Sequence, residues 1–338
     1  MAGIIFSEGT GVADSIFGKS QAPIQEFVLS TAKTREETEA AYKRIFKMTK
    51  STHYGEKYGG VTGMKGFRPT PENGANNRDG MQETFSKVLE NIRWTDEFVV
   101  SHEMVEDGLI MDFKERPQAF VDGFYDARED YAAALVGGAL MGKSEVMYAD
   151  FKCDITGADG KPLFSAEHPS CINSSNVQSN VCSNVLSAEA LDLVETAHQN
   201  LRDDHMKSLQ IAPMTLVIPN TAYAKRIAFA AAGSERDPVT NNNAFNYQVG
   251  RWNILVWQRL NDYVTCDGEQ FPWFTLDEAY NQRFSTAIFQ DRSELQINSH
   301  LDPSNWANVW SGIARFVAGF KDFRGVYAGG VVGAAALA

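Results

Sequence analysis

PQAFVDGFYDAREDYAAALVGGALM, residues 117–141, is the stretch whose reading decides the fold. Phe120, Phe124, Ala127, Tyr131, Leu135 and Gly138 recur at steps of three and four and so line one stripe of a helix, while Asp122, Asp126, Glu129 and Asp130 lie mostly off it. The spacing predicts a single amphipathic helix over 117–141, roughly 37 Å long and longer than an ordinary globular helix. Pro117 suits its first turn, where a missing N–H costs nothing, and Glu115 adds charge at the positive end of the dipole. Gly142 is the stop, with Lys143 on the negative end.

Towards the N-terminus, residues 1–33 keep neither a helical nor a strand period, which predicts an extended arm that needs something to lie on. Thr34 and Glu37 form a capping box before a short helix with Ala41, Tyr42, Ile45 and Phe46 on its apolar side. From His53 to Met81 the chain is rich in glycine and carries PENGANNRDG (71–80), turn chemistry with little to bury, and a projecting loop is expected. Ile92, Trp94, Phe98 and Val100 then alternate with Arg93, Thr95, Val99 and Ser101, a strand returning from that projection. A two-stranded ribbon alone is marginal in water, so this one is expected to gain order by resting on another subunit.

Towards the C-terminus, VMYADFKC (146–153) reads as a strand, GADGKP (157–162) as a turn, and LFSAEHPSC (163–171) leads into a Ser/Asn-rich loop over 173–184. Ser187 caps a second helix carrying Leu191, Val194, His198 and Leu201, and Pro213 and Pro219 bracket the strand MTLVI. Asn220 opens a third helix to about Ala232, the run 233–246 is a surface loop, and NILVW (253–257) is a buried strand. Trp273, Phe274 and Phe284 suggest a further apolar cluster, and a compact α/β unit is placed at about 185–285. Val309, Ser311, Ile313, Arg315 and Val317 alternate with Trp310, Gly312, Ala314, Phe316 and Ala318 in a long strand. The final GVVGAAALA (330–338) is too short to cross a bilayer and reads as a loosely packed or partner-covered tail.

With 338 residues, 43% of them hydrophobic, the chain can bury a sizeable core. Its net charge of −12 argues against gripping phosphate as its main work, since that takes clustered Lys and Arg. Cys153, Cys171, Cys182 and Cys266 form no CxxC pair or zinc spacing, so free thiols in a reducing compartment are expected. The N-terminus has no signal-peptide pattern and no apolar run approaches membrane-spanning length, so a soluble, unsecreted protein without membrane contact is expected.

Several motifs invite chemistry. Gly137, Gly142, Lys143 and Ser144 match the P-loop pattern GxxxxGK[ST], but here the glycines end a helix and a strand follows, the reverse of the strand–loop–helix order that lets amides converge on phosphate. His102, Glu103, Glu106 and Asp107 are the densest set of metal-ligand types, yet HExxE at a strand end shares no helical face. His168 near Cys171 lacks an orienting third group, so structural hydrogen bonding is the expected role. Ala158, Asp159 and Gly160 lack the alternating oxygens of an EF-hand. No catalytic, cofactor-binding or metal residue is therefore assigned, no cofactor is expected, and the protein is read as not an enzyme.

The order of parts resembles the major capsid proteins of tailed bacteriophages, the Hong Kong 97-type fold, and is most similar to the Mu-type major head subunit group. The residues that carry the likeness are VLENIRWTDEFVVSHEMVEDG (88–108), DGKPLFSAEHPS (159–170, close to a DGxxLFxxxHP signature), PMTLVIPNTAYAKRIA (213–228) and RFVAGFKDFRGVY (315–327). The resemblance implies an α+β fold with an N-terminal arm (1–52) and an extended loop, a β-hairpin, over 53–90. It also implies a peripheral domain (91–184 and 286–338) built on the spine helix 117–141, and an α/β axial domain (185–285). It implies a subunit that self-assembles into hexamers and pentamers of an icosahedral phage head enclosing double-stranded DNA. Expected partners are a separate scaffolding protein, a portal, a possible decoration protein and packaged DNA in weak non-specific contact; assembly is expected in the host bacterial cytoplasm, and the product in the virion capsid. Some relatives join subunits by a lysine–asparagine bond; Lys65, Asn73, Asn76 and Asn77 lie in or near the loop, and no such link is predicted. The alternatives are an encapsulin-like nanocompartment shell, which shares the fold, and, more remotely, a P-loop NTPase through Gly142 and Lys143.

Overall fold

The structure, a computed structural model, describes residues 40–64, 66–101, 103, 112–235 and 245–337. The arm over 1–33, the Thr34/Glu37 capping box, His102, Glu106, Asp107 and Lys65 lie outside the described residues. A short helix α1 (Tyr42–Ile45) leads into β1 (Lys47–Lys50), and a ribbon of β2 (Gly55–Tyr58) and β3 (Lys87–Glu90) precedes β4 (Ile92–Val100). The long helix is α2 (Asp112–Leu140). After it come β5 (Glu145–Tyr148), β6 (Phe151–Asp154), β7 (His168–Pro169) and β8 (Val177–Gln178), then α3 (Ala188–Gln199), β9 (Thr215–Pro219) and α4 (Ala222–Gly233). The chain closes with β10 (Asn253–Trp257), a 3₁₀ turn (Gln258–Asp262), β11 (Trp273–Leu276), α5 (Glu278–Phe284), β12 (Ala287–Leu301), β13 (Asn308–Phe320) and β14 (Val326–Gly329).

α2 starts before Pro117, which lies inside the helix and not in its first turn. DFKER (112–116) is compatible with helix, and proline's fixed φ is too, so Pro117 forfeits only the bond to the Phe113 carbonyl. The C-terminal stop is as read: Gly142 adopts φ +68°, and the amides of Met141, Gly142 and Lys143 donate to the carbonyls of Gly137, Ala139 and Gly138, each at 3.0 Å. The amphipathic stripe holds only for the first half, because every residue from Tyr131 to Leu140 is buried. That half runs between Phe316 and Ala314 of β13, Cys153 and Ile155 beside the β5–β6 hairpin, and Val217, Phe274 and Ala328 of the second sheet. A helix with a protein layer on every side has no solvent face to mark.

The first sheet has the order β1-β12-β13-β4, with β1 parallel to β12 and the other pairs antiparallel. β4 therefore belongs to this sheet, while the two-stranded ribbon is β2 with β3. Ile92–Val100 has sheet-burying aromatics on alternate positions, and β13 satisfies its backbone better than a ribbon partner would. Trp94 stacks on Phe316 at 4.6 Å and meets Tyr131 of α2 at 5.1 Å, and Phe98 meets Phe120 of α2 at 5.3 Å, so these two aromatics of β4 face the helix. β12 went unread in the sequence; its alternation is interrupted by bulges between Asp291 and Gln296.

VMYADFKC is a hairpin and not one strand: Tyr148 pairs with Phe151 across Ala149 and Asp150, both at positive φ. That is a two-residue turn of the I′ kind without the usual Asn-Gly marker. The second sheet, β10-β9-β11-β14, forms the compact α/β unit with α3 and α4 packed on it. Ser187 accepts the Ala190 amide at 3.0 Å, whereas the cap of α4 is Thr221 and not Asn220. Trp273 and Phe274 point to opposite sides of β11 into different cores, and Phe284 is part exposed, so the three form no cluster. The fourth strand of this sheet, β14, comes from the end of the chain, beyond 185–285.

Candidate assembly surface

The sheet, the ribbon and the chain between β2 and β3 make the surface most in need of a partner. At its base the ribbon is well anchored. Leu89 is buried over Gly319 and beside Ile288 and Val317, on the face of the first sheet away from α2. Tyr58 donates its hydroxyl to Gln290 Oε1 at 2.8 Å, and burial pushes its pKa up. Asn91 Nδ2 reaches the Ser51 hydroxyl (3.1 Å) and the carbonyls of His53 (2.9 Å) and Tyr54 (3.0 Å), while Gln290 Nε2 donates to Asn91 Oδ1 at 2.8 Å. Glu56 accepts from the Thr52 amide (3.0 Å) and the Ser51 hydroxyl (3.1 Å), bonds that hold its carboxyl below the usual range, Thr52 foremost.

Beyond that base the chain has almost nothing to fold against. Residues 59–86 keep a few rungs, Thr84 N to Gly60 O at 2.9 Å and Thr62 N to Gln82 O at 2.8 Å, and then open. The tip turns at Pro71–Gly74, with Asn73 at φ 65° and the Gly74 amide on the Pro71 carbonyl (2.8 Å), and Arg68 pairs with Asp79 at 2.5 Å. A tether returns to the body: Lys207 Nζ donates to the Met64 carbonyl at 3.0 Å. Apolar side chains point out along the whole excursion. Phe67 is fully exposed, Val61 is 63% and Met64 56% exposed, and Met81, Phe85 and Val88 are also exposed. Asn73, Asn76 and Asn77 lie exposed on the same excursion.

The other motifs find structural roles. His168 is buried, with Nδ1 2.6 Å from Asp159 Oδ2 and Nε2 3.1 Å from Asn180 Oδ1, and its ring stacks on Phe323 at 3.8 Å. Asn180 is held in turn by the carbonyls of Leu163 (2.8 Å), Phe323 and Val326 (both 3.3 Å). These bonds tie the DGKPLFSAEHP segment to the loop before β14. Cys171 sits in a different environment: its amide meets Asp204, and burial, then the Asp204 carboxylate, pushes its thiol up to about 11. A thiol so disposed is a poor nucleophile near neutrality. Gly142 and Lys143 follow the C-terminus of α2 and precede β5, so their amides face no shared phosphate position. Among the described residues no group of three potential metal ligands comes together, and no helix is long and apolar enough to cross a membrane.

Sequence reading missed one structural device. Arg128, buried in α2, lies over the rings of Phe289 (4.8 Å), Phe316 (5.1 Å), Phe124 (5.6 Å) and Tyr42 (5.7 Å) and bonds Asp291 at 2.9 Å. It joins helix, first sheet and α1. An arginine within a helix full of acids gives no signal of burial, because three of the four rings that accept it come from distant segments.

Neither protein-family models nor curated proteins match the sequence. Among solved structures, the chain is similar to one of Mycobacterium phage Patience, with TM-score 0.49 and 13% identity over 98% of this chain and 91% of that one. It is similar to the capsid of a native GTA particle, with TM-score 0.49 and 13% identity over 88% of this chain and 89% of that one. A third is the procapsid of bacteriophage JBD30, with TM-score 0.49 and 10% identity over 94% of this chain and 75% of that one.

Proposed function

We propose that this chain is the major capsid subunit of a tailed phage, a structural protein of the Hong Kong 97-type fold that builds an icosahedral shell from hexamers and pentamers. The observation that carries the reading is the excursion over 59–86: a firmly anchored ribbon extends apolar side chains that nothing among the described residues covers. Large exposed apolar surface on an ordered element fits contact with another protein surface, and in a closed shell each subunit both gives and receives such contact. The motifs quoted from the sequence assign the same parts. On this reading the arm is 1–52, the extended loop 53–90, the peripheral domain 91–184 with 286–338, and the axial domain 185–285, with β14 shared into the axial sheet.

A separate scaffolding protein, a portal and a decoration protein belong to the proposal, as do assembly in a bacterial cytoplasm and weak contact with packaged DNA. The net charge of −12 suits a container whose contents must slide during packing. The test is negative-stain microscopy of the expressed protein at high concentration, alone and with a candidate scaffold. Closed shells or ring-shaped capsomers are expected. A protein that stays monomeric under every condition overturns the proposal, and shells recovered with enzyme cargo and without nucleic acid from infected cells redirect it to a nanocompartment.

A further inference from the structure

The outward face of the first sheet carries two arginines directly opposite each other. Arg93 of β4 and Arg315 of β13 are register partners, so their side chains leave the same face on adjacent strands. That face is the one away from α2, since Trp94 and Phe316, one position along each strand, turn to the helix. Neither guanidinium has a hydrogen-bond or ion-pair partner among the described residues. Arg292, on the neighbouring β12 where the register slips, spends one N–H on the Ser51 carbonyl at 3.1 Å and meets no carboxylate. Like charges set opposite each other weaken a sheet, and here no bonded partner among the described residues offsets them.

We propose that Arg93 and Arg315, with Arg292 at the border, form a receptor for an acidic side chain of a second copy of this chain. The inference rests on the shell reading above and names a contact within it. Three features favour a carboxylate of a sister subunit. First, the chain carries 43 acidic against 31 basic residues, so the surface a second copy presents is predominantly acidic. Second, guanidinium forks match carboxylates with paired, directional bonds. Third, the basic patch is short. Glu97, four residues along β4 and paired with Ser311, bounds it on one side, and Glu294, held by Lys50 at 3.2 Å, on the other. An extended polyanion such as duplex DNA would meet those carboxylates, whereas one acidic side chain fits between them. Thr95, Ser293 and Ser311 around the patch add hydroxyls, and Ile313, paired with Thr95, adds an apolar neighbour. Directly behind it the ribbon base covers Val317, so an arriving acid would dock beside the root of the extended loop.

The experiment compares the full chain with Arg93→Glu/Arg315→Glu and with the milder Arg93→Gln/Arg315→Gln. Assembly is followed by sedimentation and light scattering at low and high ionic strength, monomer folding by thermal unfolding, and DNA binding by anisotropy of a labelled duplex. Both variants are expected to fold as well as the parent, because Arg93 is exposed, Arg315 is only half-buried, and neither side chain has a bonded partner among the described residues. The concentration needed for assembly should rise by about tenfold or more in the Gln variant and further in the Glu variant, the loss typical when one side of an interfacial charge pair is removed. The salt dependence of parent assembly should shrink with it. Assembly of both variants at the parent's concentration overturns the inference and leaves the shell reading standing. Duplex binding lost in the variants with assembly unchanged overturns it in favour of a phosphate site. A parent that never associates overturns both.

Discussion

His198 lies on the buried side of α3, with Nε2 3.0 Å from the Arg324 carbonyl and Nδ1 3.1 Å from the Thr275 hydroxyl. A carbonyl only accepts, so Nε2–H donates to it, and full burial favours the neutral ring. Burial pushes its pKa down to about 4, below the roughly 6.5 of an unfolded histidine. The sign follows. As pH falls from about 6.5 towards 4, the unfolded chain takes up a proton that the folded chain refuses, so stability is lost across that window and levels off below it. The full effect is on the order of 3 kcal/mol. Urea unfolding of the monomer should show midpoints falling over this range. His198→Gln should start less stable at neutral pH and fall less steeply; an unchanged slope would assign the effect to carboxylates instead. His198 illustrates what was readable at this scale: its place on the apolar stripe of α3 is plain from spacing, whereas its partners arrive from β11 and from the segment before β14.

At the scale of elements, α2 is held against the β5–β6 hairpin, the end of β10 and the 3₁₀ turn after it by acids that look like a solvated face in the sequence. Asp130 accepts from the hydroxyls of Tyr148 (3.1 Å) and Tyr263 (2.7 Å), Glu129 from Trp257 Nε1 (3.0 Å), and Asp126 pairs with Arg259 at 3.1 Å. Burial, followed for Tyr263 by its bond to Asp130, raises the pKa of both tyrosines, so they stay protonated donors. The close approach needs Gly137 and Gly138. A Cβ at Gly137 would stand 2.5 Å from Tyr263 Cβ, and one at Gly138 2.1 Å from Val146 Cγ2. In a solvated helix Gly→Ala gains up to about 1 kcal/mol of propensity, but overpacking here costs roughly 1–3 kcal/mol. Gly137→Ala is therefore expected to lower the melting temperature in calorimetry. A neutral or stabilising result would show that Tyr263 and its loop move aside freely. The existence of α2 was legible from its period and its glycine stop. Its true start was not, because a proline early in a helix reads as a beginning when only local sequence is in view.

The whole molecule is a wrapped helix between two sheets with an outlying ribbon. Replacing residues 60–84 with a short Gly/Ser turn should leave the body intact, since the anchoring contacts of Tyr58, Leu89 and Asn91 all lie at the base. Monomer unfolding is expected to shift little, while shell formation is lost in sedimentation and microscopy. Full assembly of the excised protein would remove the excursion from the proposed contact. The projecting loop was readable because glycine, asparagine and proline in PENGANNRDG leave nothing to bury, whatever the rest of the chain does.

By itself the sequence determined the properties that depend on neighbours a few residues apart. The period of α2, the Ser187 cap, the buried strand 215–219, the long strand β13 and the bare loop are all local, and torsional preference and spacing are enough to specify them; the strand 253–257 forms as read, but at a sheet edge with only Trp257 buried. Tertiary structure alone decided which strand pairs with which, that β4 joins β13 and leaves the ribbon to β2 and β3, and that β14 closes the sheet of the other unit. It also decided that Arg128 lies among four rings while Arg93 and Arg315 stand opposite each other on the outward face of the first sheet. Those outcomes turn on which distant surfaces exclude water together, and no short window of residues contains that information.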